Sequence, residues 1–133
     1  MIVLGLTGSI AMGKSTTAAM FAEAGVPVWD ADAAVHRAYG HDGAAVDPVA
    51  ALVPGALGPS GLDREVLRRA IAADPTLLTR IERIVHPVVG ADRKRFLEDA
   101  RAAGEGVVVL DIPLLFETGG DAHVDRIVVV TCD

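Results

Sequence analysis

The chain has 133 residues, 51% of them hydrophobic and few aromatic, with a formal net charge of −6. That length suits a single domain burying roughly two-thirds of its unfolded surface, and the Ala-, Val- and Leu-rich composition suits helices packed on a buried parallel sheet better than a disordered or fibrous chain. The acidic balance argues against a broad nucleic-acid-binding surface, which needs a basic stripe, yet it leaves room for a small anion held by backbone N–H groups and one lysine.

Ile2 to Leu6 is a short apolar run ending at Thr7-Gly8 and reads as a fully buried strand. With no basic region before it, the N-terminus is not expected to be a signal peptide. Gly8-Ser9-Ile10-Ala11-Met12-Gly13-Lys14-Ser15 follows, and Lys14 to Ala24 predicts a helix with apolar positions at Ala18, Met20, Phe21 and Ala24 and a cap at Gly25. Val26 to Trp29 is a second short strand, stopped by Asp30-Ala31-Asp32. Strand, loop, helix, strand makes a βαβ unit with parallel pairing of its strands expected.

Beyond it, Ala33 to Tyr39 predicts a helix, and Gly40 to Gly61 reads as loop with one helical turn near Pro48 to Leu52. Asp63 is placed to cap a helix over Arg64 to Ala73, a further helix runs from Thr76 towards Val85 and meets Pro87, and another spans Val88 to Ala103. Val107 to Leu110 and Arg126 to Thr131 return to the strand pattern. A nucleotide-binding core of 1–32 and 105–133 thus encloses a helical insert of about 33–104. The insert's arginines and Lys94 read mostly as solvated helix faces. The longest apolar stretch, Val107 to Phe116, is interrupted by Asp111 and too short to span a bilayer, so no membrane partner and a cytoplasmic location are expected.

Gly8 to Ser15 matches G-x-x-x-x-G-K-[ST] in full. Its glycines let successive N–H groups turn towards phosphate oxygens, and the helix beginning near Lys14 adds its positive end. Lys14 is expected to reach the β- and γ-phosphates of ATP, with the Ser15 hydroxyl on Mg²⁺. The ATP-binding set is Gly8, Ser9, Ile10, Ala11, Met12, Gly13, Lys14, Ser15 and Thr16.

Asp30 and Asp32 close the second strand at the end where open α/β sheets bind ligands. There Asp32 is a candidate base for an attacking hydroxyl and Asp30 a candidate for holding the metal's water. Helix capping by Asp32 with turn chemistry at Asp30 is the plainer alternative. Asp111, ending an apolar strand, is a candidate Mg²⁺ ligand or simply the strand's polar stop. His36, His41, His86 and His123 lack metal-ligand spacing, and Cys132, the only cysteine, excludes an internal disulfide and reads as a buried inert thiol. His86-Pro87 stands at a helix boundary, either a packing residue or part of a site.

Five blocks together resemble dephospho-CoA kinases. They are Leu4-Gly-Leu-Thr-Gly-Ser-Ile-Ala-Met-Gly-Lys-Ser-Thr16, Val28-Trp-Asp-Ala-Asp32, Gly61-Leu-Asp-Arg64 with Leu67-Arg68, Ile84-Val-His-Pro87, and Leu110-Asp-Ile-Pro-Leu-Leu-Phe-Glu117. The resemblance implies a P-loop NTPase-type three-layer α/β fold with a parallel sheet and a helical substrate-binding insert. It also implies transfer of the ATP γ-phosphoryl group to the 3′-hydroxyl of dephospho-CoA, with ATP and dephospho-CoA as partners and Mg²⁺ as cofactor. By position, Asp32 resembles the family's base and Lys14 serves catalysis. His86, Pro87, Pro113, Leu114, Leu115 and Phe116 fall on its acceptor side, and Ser15 on its metal side. Ser9, Ala11 and Met12 depart from the family's usual Gly, Gly and Ser.

Such kinases are longer, continuing into an arginine-bearing lid helix and a last strand, so the fold is expected to be C-terminally incomplete. A lid arginine is worth roughly 10³-fold or more, and the chain by itself is expected to be a poor enzyme. Two alternatives remain: a P-loop kinase of the shikimate, gluconate or nucleoside type, and a truncated, non-catalytic nucleotide-binding module.

Overall fold

In the computed structural model, residues 1–8, 13–112 and 124–130 are described. The chain divides into two compact units, one of Met1–Asp32 with Arg93–Asp133 and one of Ala33–Asp92.

The first unit is built on a four-stranded parallel sheet. β1 (Ile2–Gly8), β2 (Val28–Asp30), β5 (Val107–Asp111) and β6 (Arg126–Val130) lie in the order β2-β5-β1-β6. The expected parallel direction holds, but β1 and β2 are not neighbours: β5 lies between them and pairs with both. β5 is the most apolar segment, and a central place buries it on both faces. Val108, Val109 and Leu110 are wholly inaccessible, as is Leu6 of β1, and each such side chain contributes about 1.5–3 kcal/mol by leaving water. β1 is not buried throughout, since Ile2 at its start is 49% exposed. The start of β6 is tied to β1 from both sides, with the Asp125 N–H donating to the Val3 carbonyl and the Val3 N–H donating to Asp125 Oδ2, each at 2.8 Å. α1 (Lys14–Glu23) connects β1 to β2, and Gly25 turns the chain after it at φ 86°.

The second unit holds α2 (Ala31–Tyr39) from Ala33 onward, α3 (Val46–Leu52), a 3₁₀ turn at Pro54–Ala56, a minimal hairpin of β3 (Leu57–Gly58) and β4 (Gly61–Leu62), α4 (Arg64–Ala73) and α5 (Thr76–Ala102) as far as Asp92. The stretch 40–61 is therefore more ordered than its Gly- and Pro-rich composition predicts. Ala38, Ala45, Val46, Val49, Ala56, Leu62, Leu67, Ile81 and Val85 form one buried cluster. Small side chains at Ala38, Ala45 and Ala56 bring the short elements into contact.

One feature corrects the sequence reading here. α5 runs unbroken through Pro87 where two helices were expected. A proline inside a helix costs about 3 kcal/mol through a lost hydrogen bond and a steric clash, and the flanking Ile81, Val85, Val88 and Val89 offset it by packing in or against the core. The Gly61-to-Arg64 block, meanwhile, has a local structural explanation. A Cβ on Gly61 (φ 114°) would strike the Tyr39 carbonyl oxygen, Asp63 caps α4, and the Arg64 guanidinium lies 5.3 Å from the centre of the Tyr39 ring.

Candidate functional site

The site lies within the first unit, at the carboxyl ends of the parallel strands. β1 ends at Gly8, and α1 begins after Gly13, whose φ of 115° is one that side-chain-bearing residues rarely adopt. The Gly13 carbonyl accepts the first helical hydrogen bond, from Thr17 N–H at 2.7 Å. No side chain among the described residues caps α1, and no acidic residue occupies its first turn. Its leading N–H groups and the positive end of its dipole are therefore left for an external anion.

Lys14 opens α1, and its Nζ lies 2.6 Å from Asp111 Oδ1, both side chains being about 14% exposed or less. Oδ1 is buried, and the Lys14 ammonium is its ion-pair partner. The strand order produces this contact, because Asp111 is level with Leu6 on one side and with Asp30 on the other. Burial pushes the Asp111 carboxyl above its usual value of 3.8; Lys14 pulls it back, and the charges of Asp30 and Asp32 push it up again. Lys14 thus pairs with Asp111, whose carboxyl also feels the negative charges of Asp30 and Asp32.

The capping that stood as the plainer alternative for Asp32 falls to Asp30 instead. Asp30 Oδ1 accepts the Asp32 N–H at 2.8 Å and so caps α2, whereas Asp32 occupies the first turn as a negative charge near the helix's positive end. Both are exposed, as are Ser15 and Thr16 in the first turn of α1. The structure therefore brings together Lys14, Asp30, Asp32 and Asp111, with Ser15 next in the chain to Lys14.

His86 and Pro87 are exposed positions on α5 in the second unit. Ser9, Ile10, Ala11, Met12, Pro113, Leu114, Leu115, Phe116, His123 and Cys132 lie outside the described residues. One neighbour of the loop went unnoticed in the sequence: Val130, which stands against both Gly8 and Gly13. Nothing in the run Ile127-Val-Val-Val130 distinguishes it.

The dephospho-CoA kinase family model matches residues 2–133. This chain belongs to the dephospho-CoA kinase family. Among curated relatives, the dephospho-CoA kinase of Cereibacter sphaeroides is 62% identical over 128 residues, covering 96% of this chain and 64% of the relative. That of Jannaschia sp. is 61% identical, over 96% and 65%. The chain thus spans about 65% of the length of these relatives. Among solved structures, TT1252 from Thermus thermophilus matches with a TM-score of 0.78 at 36% identity, covering 97% of this chain and 64% of that one. The dephospho-CoA kinase from Campylobacter jejuni matches with a TM-score of 0.77 at 20% identity, covering 96% and 64%, and speaks for the fold alone. The α/β class and parallel sheet expected from the sequence are those of the family.

Proposed function

We propose that this chain carries the nucleotide-binding and catalytic core of an ATP-dependent kinase that phosphorylates the 3′-hydroxyl of dephospho-CoA in the cytoplasm. The observation that carries the reading is the Lys14–Asp111 pair, set beside Asp30 and Asp32 at the uncapped start of α1. A polyphosphate placed there offers Lys14 stronger partners than one carboxylate, and the leading N–H groups of α1 supply further donors.

In this reading Gly8 to Thr16 hold the phosphates, and Lys14 stabilises charge on the transferring group. The 3′-oxygen attacks the γ-phosphorus, its proton passes to the Asp32 carboxylate, and the bond from the γ-phosphorus to the bridging oxygen breaks to release ADP. Asp32 suits this part because its exposure lets an acceptor hydroxyl approach. The oxygen donors of Asp111, Asp30 and Ser15 fit Mg²⁺, which is held by one or two carboxylates together with phosphate oxygens and water. Magnesium, when bound, would balance phosphate charge that the three carboxylates otherwise repel. His86, Pro87 and Pro113 to Phe116 are assigned to the acceptor, and the insert to binding its CoA portion.

The test offers ATP, Mg²⁺ and dephospho-CoA, and in parallel shikimate, gluconate and a nucleoside, to two proteins. One is the 133-residue chain; the other is the same chain joined to the C-terminal third of the Cereibacter sphaeroides relative. Phosphorylation of dephospho-CoA alone is the expected result. Transfer only to another acceptor would overturn the assignment, and ATP binding without transfer by either protein would leave a non-catalytic nucleotide-binding module.

A further inference from the structure

Val130 closes both ends of the phosphate-loop segment. It pairs with Gly8 across β6 and β1. A Cβ built on Gly8 would run into the Val130 carbonyl oxygen, and one built on Gly13 would stand 3.0 Å from Val130 Cγ1. The backbone of one residue thus bounds the loop's first glycine and its side chain bounds the second.

Resting on the nucleotide reading above, we infer that Val130 is a positioning residue for nucleotide phosphate. Its β-branched side chain sets where Gly13, and with it Lys14 and the start of α1, stands relative to the end of β1. Two physical properties favour this. A β-branched side chain has few rotamers, so its methyl is a fixed wall rather than an adaptable one. Gly13 has the opposite character, since without a Cβ its backbone moves freely unless a neighbour confines it. Affinity for a phosphate chain depends on N–H groups and an ammonium already aimed before binding, because ordering them afterwards subtracts from the interaction. Val128, two residues earlier and therefore on the same side of the strand, pairs with Leu6 instead. It is the natural control, being an identical side chain of similar exposure away from the two glycines.

The experiment measures pyrophosphate binding by calorimetry, together with thermal melting, on the 133-residue chain and its variants. Val130→Ala should weaken binding about tenfold, the upper scale for ordering one loosened side chain on binding, while Val130→Thr, which keeps the branched shape, should retain wild-type affinity. Val128→Ala should lower the melting temperature as Val130→Ala does and leave affinity unchanged. Val130→Leu keeps the apolar bulk and loses the branch, so it should bind weakly while melting near the wild type; it carries the test if Val130→Ala does not fold. Equal affinities for the Val130→Ala and Val128→Ala proteins, or a Thr variant as weak as the Ala variant, would overturn the inference. Lys14→Ala separates the two levels. If it abolishes binding while the Val130 variants do not weaken it, only the role of Val130 falls. If the wild-type chain binds no pyrophosphate, or Lys14→Ala binds as well as wild type, the nucleotide reading falls with it.

Discussion

Two helix starts in this chain are built in opposite ways. α4, in the insert, is closed by its own sequence: Asp63 Oδ1 accepts from the Glu65 and Val66 N–H groups at 3.0 and 3.3 Å. α1, on the sheet, has Gly13 at the corresponding position and no side-chain cap among the described residues. The same contrast runs through the charged groups. In the insert, Arg37 binds Asp92 through two hydrogen bonds, of 3.0 and 2.7 Å, and Arg68 meets Glu65 at 2.6 Å. At the strand ends, Lys14 pairs with Asp111, and Asp30 and Asp32 add negative charge beside that carboxyl. Polar groups satisfied locally hold a fold together; in the proposed reading, a phosphate ligand completes the charges at the strand ends.

The contrast can be broken most visibly at the strand ends. In a form of the protein competent for turnover, Asp32→Asn should lower kcat about 10²- to 10⁴-fold, the usual worth of a general base, with ATP affinity nearly unchanged in calorimetry. Equal loss of both would remove Asp32 from the proton transfer. Lys14→Ala should weaken polyphosphate binding about 10- to 10²-fold, from the about 1.5–3 kcal/mol of a hydrogen bond to a charged group. In the insert the reverse is expected. Leu67→Ala, at a buried position of the cluster, should cost about 2–5 kcal/mol in chemical denaturation by leaving a cavity, with polyphosphate affinity of the folded chain unaltered. Asp63→Ala should cost about 1 kcal/mol by exposing the start of α4, again without an effect on binding; a fall in affinity would show that the insert's helix starts are not merely structural.

The last prediction is read by its sign rather than its size. The Asp111 carboxyl has its pKa raised above 3.8 in the folded chain, chiefly by burial, so the folded state holds that proton more tightly than the unfolded one. Its contribution is fully present below the unfolded value and is lost as pH rises through the folded value. The Asp111→Asn protein, followed by denaturation across that window, should lack this loss and gain stability relative to wild type as pH rises. A wild-type advantage that grows with pH would contradict the burial argument.

Much of this was legible in residue order. The phosphate-loop pattern has required spacing and lies between an apolar run and a helical one, so strand, loop and helix could be placed together. Asp63 announced α4 because capping is decided within four residues. Other features depend on contacts remote in the chain. Pro87 marks a boundary by local rules, yet α5 continues because side chains around the proline pack into or against the insert core. Asp30 rather than Asp32 caps α2, a difference of two positions that one hydrogen bond decides.

The sequence by itself determined the α/β class, the G-x-x-x-x-G-K-[ST] pattern and the identity of the acidic residues, since these rest on local periodicity, spacing and residue type. Only the tertiary structure decided that β5 separates β1 from β2, and that order places Asp111 level with Asp30 and within 2.6 Å of Lys14. It also decided that Val130, one valine in a row of three, stands against both loop glycines. Pairing partners of parallel strands are chosen by which segment gains most from burial on two faces, a property of the whole sheet that no single stretch of chain contains.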